Sequence, residues 1–343
     1  MCKSFNRNYD AIYVEKTCKI LEQYRKRDFI TMQFFQWDNG VTLAGIDECL
    51  QLLRNNAQDP QSLEIYALKD GDIVNSFEPV LKIKGHYYQF GYLEGIIDGI
   101  LARQSSIATN CANVIQAAKT KEVIYMNDRS DNWINQENDG YAAYVGGIRK
   151  FVTPAMIAKI NDPNVKVVGT MPHSLIQAFN GNLIDTLAAY KGCFPNEKIT
   201  ALVDYNNDVI NDSLQAARAF PNLYAVRVDT SKKLIDKYFI GKEDQFKGEN
   251  IYGVNKHLIK ALRQELDRHH FEKVKITVSS DFTVEKICEF EAEKVPVDFY
   301  GVGQILSKIN LNFTGDAVML NDYPQAKVGR TNIESDRLQK YLL

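Results

Sequence analysis

Apolar positions along the chain follow two rhythms, and the change between them falls near residue 118. In the first part, Tyr13, Thr17, Ile20, Leu21 and Tyr24 share one face of a first predicted helix, which the basic run Arg25-Lys26-Arg27 closes. Residues 29–36 read as a strand, 41–53 as a helix, and 63–68 and 79–84 as further strands. The last of these alternates apolar with charged residues, as a half-exposed strand does. A long helical pattern then runs from Gly91 through Leu93, Ile97, Ile100, Leu101 and Ile107 to Ala118. The first part is therefore mixed α and β.

Beyond it, short apolar runs are separated by helical patterns. The runs are 123–126, 165–168, 199–203, 223–228, 274–278 and 296–300. Repeated strand-then-helix units predict a parallel sheet or barrel, and six fall short of a regular barrel. The fold class expected is α/β: an irregular, incomplete α/β barrel over 111–309, beside an α/β-sandwich domain built from 1–110 and the tail 310–343. In that tail, residues 317–320 read as a strand and Asn321-Asp322-Tyr323-Pro324 as a turn, so the tail is expected to return to the first domain. No repeat or low-complexity segment interrupts the pattern.

One handover carries candidate chemistry. Val165, Val167 and Val168 give a buried-strand signal, and Leu175, Ile176, Phe179, Leu183, Leu187 and Ala188 recur at helical spacing. Between them lies Gly169-Thr170-Met171-Pro172-His173-Ser174, with Pro172 acceptable in a first helical turn and Ser174 able to help cap it. His173 thus sits where a strand passes to a helix, at the sheet edge where α/β folds bind ligands. Spacing alone leaves open a histidine that merely satisfies a helix start.

Composition narrows the partners. With Lys+Arg 41 against Asp+Glu 43, no basic excess points to nucleic acid, and an anionic ligand must be met by a local site. The start Met1-Cys2-Lys3-Ser4-Phe5-Asn6-Arg7 is polar, and no stretch is long and apolar enough to cross a bilayer, so a soluble cytoplasmic protein with no membrane partner is expected. Cys2, Cys18, Cys49, Cys111, Cys193 and Cys288 are scattered, which predicts reduced thiols and argues against zinc or disulfides.

The strand ends converge on phosphate chemistry. Asp204 follows one run; Arg227, Asp229, Thr230 and Ser231 end another; then come Ser279-Ser280-Asp281 and Gly301-Val302-Gly303. The serine and glycine turns precede helical patterns, where free backbone N–H groups let a phosphate approach. Arg227 could bind a planar carboxylate through two hydrogen bonds, or pair with Asp229 or Asp204. The two aspartates could hold Mg²⁺, support a developing positive charge, or simply cap helices.

These residues resemble the nicotinate phosphoribosyltransferases, in their shorter bacterial and archaeal form. The matching segments are Gly169–Ser174, Tyr144-Val-Gly-Gly147, Leu223–Thr230, Val274–Ser280, Val297–Gly303 and Glu78–Gly85, in family order over nearly the whole chain. The resemblance implies a reaction joining nicotinate to 5-phosphoribosyl-1-diphosphate, giving nicotinate mononucleotide and diphosphate. It implies Mg²⁺, a homodimer with shared active sites, and ATP as co-substrate, phosphorylating a histidine at the position of His173. Arg227, Thr170 and, from the other subunit, Tyr13 would contact nicotinate. Asp204 and Asp229 would lie near the ribose and metal as catalytic carboxylates. Arg129, Ser279, Ser280, Asp281, Gly301 and Gly303 would bind phosphate.

The chain departs from the family at Asp128-Arg129-Ser130-Asp131-Asn132, where relatives carry paired arginines and His-Pro, and at Ser279-Ser280-Asp281, where they often have Ser-Gly-Gly. The rivals are a nicotinamide or quinolinate phosphoribosyltransferase, a catalytically idle nucleotide-binding relative, and an unrelated barrel enzyme for a sugar phosphate.

Overall fold

The structure is a computed structural model that describes residues 7–343; Cys2 and the other residues of 1–6 lie outside the described residues. The chain divides into two compact units. The first takes the chain through Ala112, the segment Tyr141–Gly147 and the tail from Ser307; the second takes Asn113–Gly140 and Ile148–Leu306. Tyr141–Gly147, placed with the barrel by sequence, thus counts with the first unit.

The first unit is built on an antiparallel sheet in the order Tyr323–Pro324, Thr314–Leu320, Ile30–Phe35, Leu81–Gly85, Glu64–Ala67, Gln339–Tyr341. Tail strands form both flanks, with Thr314–Leu320 against Ile30–Phe35 and Gln339–Tyr341 against Glu64–Ala67. The tail therefore completes the sheet instead of trailing from it. Phe34, Leu53, Ile65, Ile83, Leu93 and Ile97 form the dry centre of this unit, an apolar burial that stabilises by roughly 2 kcal/mol per side chain.

Three local expectations change. The first helix, Ile12–Tyr24, buries Val14 and Cys18 and leaves Tyr13, Ile20 and Tyr24 exposed, so the predicted inner face is the outer one. Within the predicted helix 41–53, Val41–Thr42 is a strand paired with Ile73–Val74, and Gly45 at φ 102° turns the chain before the helix Ile46–Asn56. Only glycine takes that conformation at little cost. The strand Leu81–Gly85 is flanked on both sides and mostly buried, with Lys82 donating to Asn332 at 2.8 Å.

The second unit carries a curled parallel sheet of seven strands in the order Lys166–Val167, Lys150–Phe151, Glu122–Tyr125, Phe299–Val302, Lys275–Val278, Ala225–Val228, Thr200–Leu202. The outer two strands do not pair with each other, so it is half a barrel, as the strand count in the sequence implied. Lys150–Phe151 has no sequence counterpart because two residues are too few for a periodic signal. Val165–Val168 is not a buried strand: only Lys166–Val167 pair, on the sheet edge, and both are exposed. The helices Val209–Ala219, Lys256–Arg268 and Val284–Ala292 bury Leu214, Leu258, Leu262, Leu266, Ile287 and Phe290. Because all seven strands run parallel, their carboxyl ends gather on one edge.

Cys18, Cys49, Cys111, Cys193 and Cys288 form no disulfide, and the first three are buried. Among the described residues no helix is long and apolar enough to cross a membrane.

Candidate active site

Inside the half-barrel of the second unit lies a cavity of about 550 Å³. Strand ends and the loops after them place Met126, Asp128, Arg129, His173, Arg227 and Asp229 on its wall, with Thr170 and Met171 beside the histidine. The expected phosphate residues Ser279, Ser280, Asp281, Gly301 and Gly303 stand on or just after the same strands but are not among the lining residues.

His173 begins a helix that ends at Ala178 and follows the extended Pro172. The predicted continuous helix breaks here: Asn180 (φ 55°) and Gly181 (φ 80°) are left-handed, and a second helix, Leu183–Cys193, starts from the Asn182 cap. The short first helix holds its imidazole partly open while Ile176 anchors it in the core. His173 Nε2 lies 3.2 Å from Asp204 Oδ2, and the Tyr205 ring lies nearby at 6.5 Å. Asp204 is buried, and that burial raises its carboxyl above the usual range against the opposing pull of His173. Its Oδ1 is buried with no partner. Thr170 donates its hydroxyl to the Thr200 carbonyl, fixing the loop before the histidine to the neighbouring strand.

Arg227 is the other fixed point. Its Nε donates to Ser279 Oγ at 3.0 Å and its Nη2 to Asp229 Oδ2 at 3.1 Å, while the Ser279 hydroxyl donates to Asp229 Oδ1 at 2.6 Å. Of the alternatives left by the sequence, the ion pair with Asp229 is present, and it does not consume the guanidinium. Among the described residues Nη1 makes no hydrogen bond or ion pair, and Arg227 lines the cavity. Ser279 is 3% exposed, and its hydroxyl is spent on this ring of contacts.

The turns nearby are tightly built. Ser280 (φ 77°) and Asp281 (φ 53°) occupy the left-handed region without glycine, and Asp281 pairs with Lys232 at 3.2 Å. A Cβ on Gly303 would come within 2.6 Å of the Met126 carbonyl, so that turn requires glycine. Arg129 is exposed on the rim. Tyr13 belongs to the first unit, 70% exposed, and is not part of the cavity.

Among the described residues no group of three or more His, Cys, Asp and Glu is arranged to hold a metal. Asp229 has both oxygens engaged, which leaves Asp204 Oδ1 as the free acidic oxygen of the pair. Such donors do not form a protein cage for Mg²⁺, which favours sites shared with phosphates and water.

Sequence reasoning missed Lys150, Tyr224, Thr277 and Phe299, which also line the cavity. Lys150 and Phe299 open their strands and Tyr224 directly precedes one, while Thr277 lies within Lys275–Val278 beside Arg227, and nothing in the residue pattern marks any of them as inward-facing.

Comparison with known proteins agrees with this architecture. The family model described as "Quinolinate phosphoribosyl transferase, N-terminal domain" matches residues 12–105. The solved nicotinate-nucleotide pyrophosphorylase from Pyrococcus furiosus is 29% identical, superimposes with TM-score 0.79, and is matched over 95% of this chain and 78% of its own. Human nicotinic acid phosphoribosyltransferase shares the fold at TM-score 0.72 and 16% identity, over 94% of this chain and 77% of its own. The fold is thus that of the nicotinate and quinolinate phosphoribosyltransferases.

Within that class, the resemblance read from the motifs is to nicotinate phosphoribosyltransferases, and curated relatives carry that name. In Mycobacterium tuberculosis, pncB2 is 23% identical over 280 residues, or 79% of this chain, and pncB1 is 25% identical over 251 residues, or 71%. The chain spans about half the length of these relatives.

Proposed function

We propose that the protein is a nicotinate phosphoribosyltransferase of NAD salvage, joining nicotinate and 5-phosphoribosyl-1-diphosphate. The observation that carries this reading is Arg227, held on the cavity wall by Ser279 and Asp229 with one guanidinium nitrogen uncommitted. An immobilised guanidinium suits a planar carboxylate, and it would aim the pyridine nitrogen at the anomeric carbon. That nitrogen supplies the electron pair of the new C–N bond. The ribose C–O bond to diphosphate breaks, and its electron pair leaves with the diphosphate. Positive charge developing on the sugar would face Asp229 and the buried Asp204, while Arg129 on the rim would meet the leaving charge. Magnesium would enter with the diphosphate.

The reading includes ATP coupling through His173. With Nε2 held by Asp204, the ring presents Nδ1 as the atom to take the phosphoryl group, ADP leaving. Hydrolysis of the phosphohistidine then returns the free ring. A homodimer with shared sites completes the reading, with the exposed apolar face of Ile12, Tyr13, Ile20 and Tyr24 as the surface that a second copy covers.

Quinolinate is the second substrate to consider, because Arg129 lines the same cavity as Arg227 and could meet a second carboxylate. Offering the purified protein nicotinate, nicotinamide and quinolinate in turn, each with phosphoribosyl diphosphate and Mg²⁺, separates these readings. Nicotinate mononucleotide from nicotinate alone is expected; turnover of quinolinate with loss of carbon dioxide would move the assignment, and no turnover would leave a nucleotide-binding relative.

A further inference from the structure

The cavity has a second end. The residues at its carboxyl edge do the work described above, but Lys150, Tyr224 and Phe299 line it where the parallel strands begin. Lys150 is the first residue of its strand, Phe299 the first of its own, and Tyr224 immediately precedes Ala225–Val228. Two more lysines stand over the same pair of rings, whose centres are 6.1 Å apart. The Lys150 ammonium is 4.5 Å from the centre of Phe299, and that of Lys275 is 5.1 Å from it and 5.6 Å from Tyr224. The Lys198 ammonium is 4.6 Å from Tyr224. Two strands and one loop thus bring three ammonium groups around one pair of rings, of which Lys150 and both rings line the cavity.

Their charge is only partly paired: Asp298, next to Phe299, accepts from the Ile276 N–H at 2.8 Å and makes no ion pair with them. Lys150 pairs with Glu122, and among the described residues this is the one ion pair the three lysines make. Two positive charges are left over in a chain whose net charge is −2, so the concentration is local and not a general basic surface. Gathering like charges is unfavourable unless an anion relieves it, and the aromatic faces offset only part of that cost.

We propose that Lys150, Lys198 and Lys275, mounted on Tyr224 and Phe299, form a second anion-binding site at the strand-start mouth of the cavity, suited to a phosphate or diphosphate group. Two observations favour that class over an aromatic carboxylate. A doubly charged group matches the uncompensated charge, which a monocarboxylate would half neutralise. The ring faces already carry lysines, so a flat aromatic ligand has no free platform to stack on. The site lies at the opposite end of the strands from Arg129 and the Ser279–Asp281 turn, and it does not depend on nicotinate being the substrate.

The test is calorimetric titration with inorganic diphosphate, without metal, near physiological salt. The intact protein is expected to bind two equivalents per chain, and the Lys198→Ala/Lys275→Ala variant to lose one of them or to bind it at least tenfold more weakly. Lys198→Arg/Lys275→Arg should retain both, which separates loss of charge from loss of fold; if the double alanine variant does not fold, Lys198→Ala alone, at an exposed side chain, gives the same reading. A single equivalent that the alanine variant loses would support this mouth and remove diphosphate from the carboxyl edge. Binding unchanged by the alanine substitutions, or no binding by the intact protein, would overturn the proposal.

Discussion

Replacing Ser279 by alanine tests whether its hydroxyl orients Arg227 or holds a substrate phosphate. The substitution removes the acceptor for Arg227 Nε at 3.0 Å and the donor to Asp229 Oδ1 at 2.6 Å, both in a site where Ser279 is 3% exposed. Hydrogen bonds to charged groups contribute roughly 1.5–3 kcal/mol each, and water replaces them poorly at a buried position. Arg227 keeps its ion pair with Asp229, so the guanidinium stays in place but pivots more freely. A loss of about 1.4–2.8 kcal/mol of alignment corresponds to a fall of roughly 10- to 100-fold in kcat/KM for nicotinate. Steady-state kinetics varying each substrate in turn measures it, and the KM for phosphoribosyl diphosphate should change by less than about twofold. A rise in that KM with nicotinate kinetics unchanged would show that the hydroxyl serves phosphate, and the orienting argument would fail.

His173→Ala should abolish stimulation by ATP while leaving a basal rate, read as product formed with and without ATP; equal stimulation in both proteins would remove the histidine from the coupling. Burial, with Glu94 and Asp316 nearby, pushes Asp98 up to about 7. Its folded value lies above its unfolded one, so its contribution is full below about pH 4 and is lost as pH rises through about 7. Asp98→Asn should therefore narrow the gap in unfolding free energy between pH 5.5 and 8.5 by about 1–3 kcal/mol, and an unchanged gap would contradict it. Gly303→Ala should cost about 1–3 kcal/mol in denaturant unfolding, because its Cβ would meet the Met126 carbonyl. Asp236 is fully buried and accepts from the Val209 and Tyr238 backbone N–H groups at 3.0 and 2.9 Å, so Asp236→Ala should cost about 2–4 kcal/mol by the same assay.

What could be read in advance follows from how each feature is encoded. The parallel strands Ala225–Val228 and Lys275–Val278 announce themselves by β-branched runs, and the residues after them are where an α/β fold must place its chemistry. Asp229, directly after Ala225–Val228, could be placed on the cavity wall for that reason, whereas Arg227 lies inside the strand and His173 follows an exposed two-residue edge strand. The strand Lys150–Phe151 was not, since its pairing comes from its neighbours and not from its own two residues. The break at Asn180-Gly181 hides inside a helical spacing that continues on either side. Ser279 was visible as a strand-end serine, but whether its hydroxyl meets a phosphate or an arginine depends on a contact across 52 residues of chain. The exposure of Tyr13 likewise depends on which face Val14 and Cys18 turn inward.

The most direct measurement of the central claim is the rate at which purified protein forms nicotinate mononucleotide from nicotinate and phosphoribosyl diphosphate, run beside Arg227→Ala, with the product identified by mass. The account predicts product from the intact protein and a rate at limiting nicotinate lower by roughly 100-fold or more in the variant. No product from the intact protein, or an undiminished rate in the variant, would contradict it.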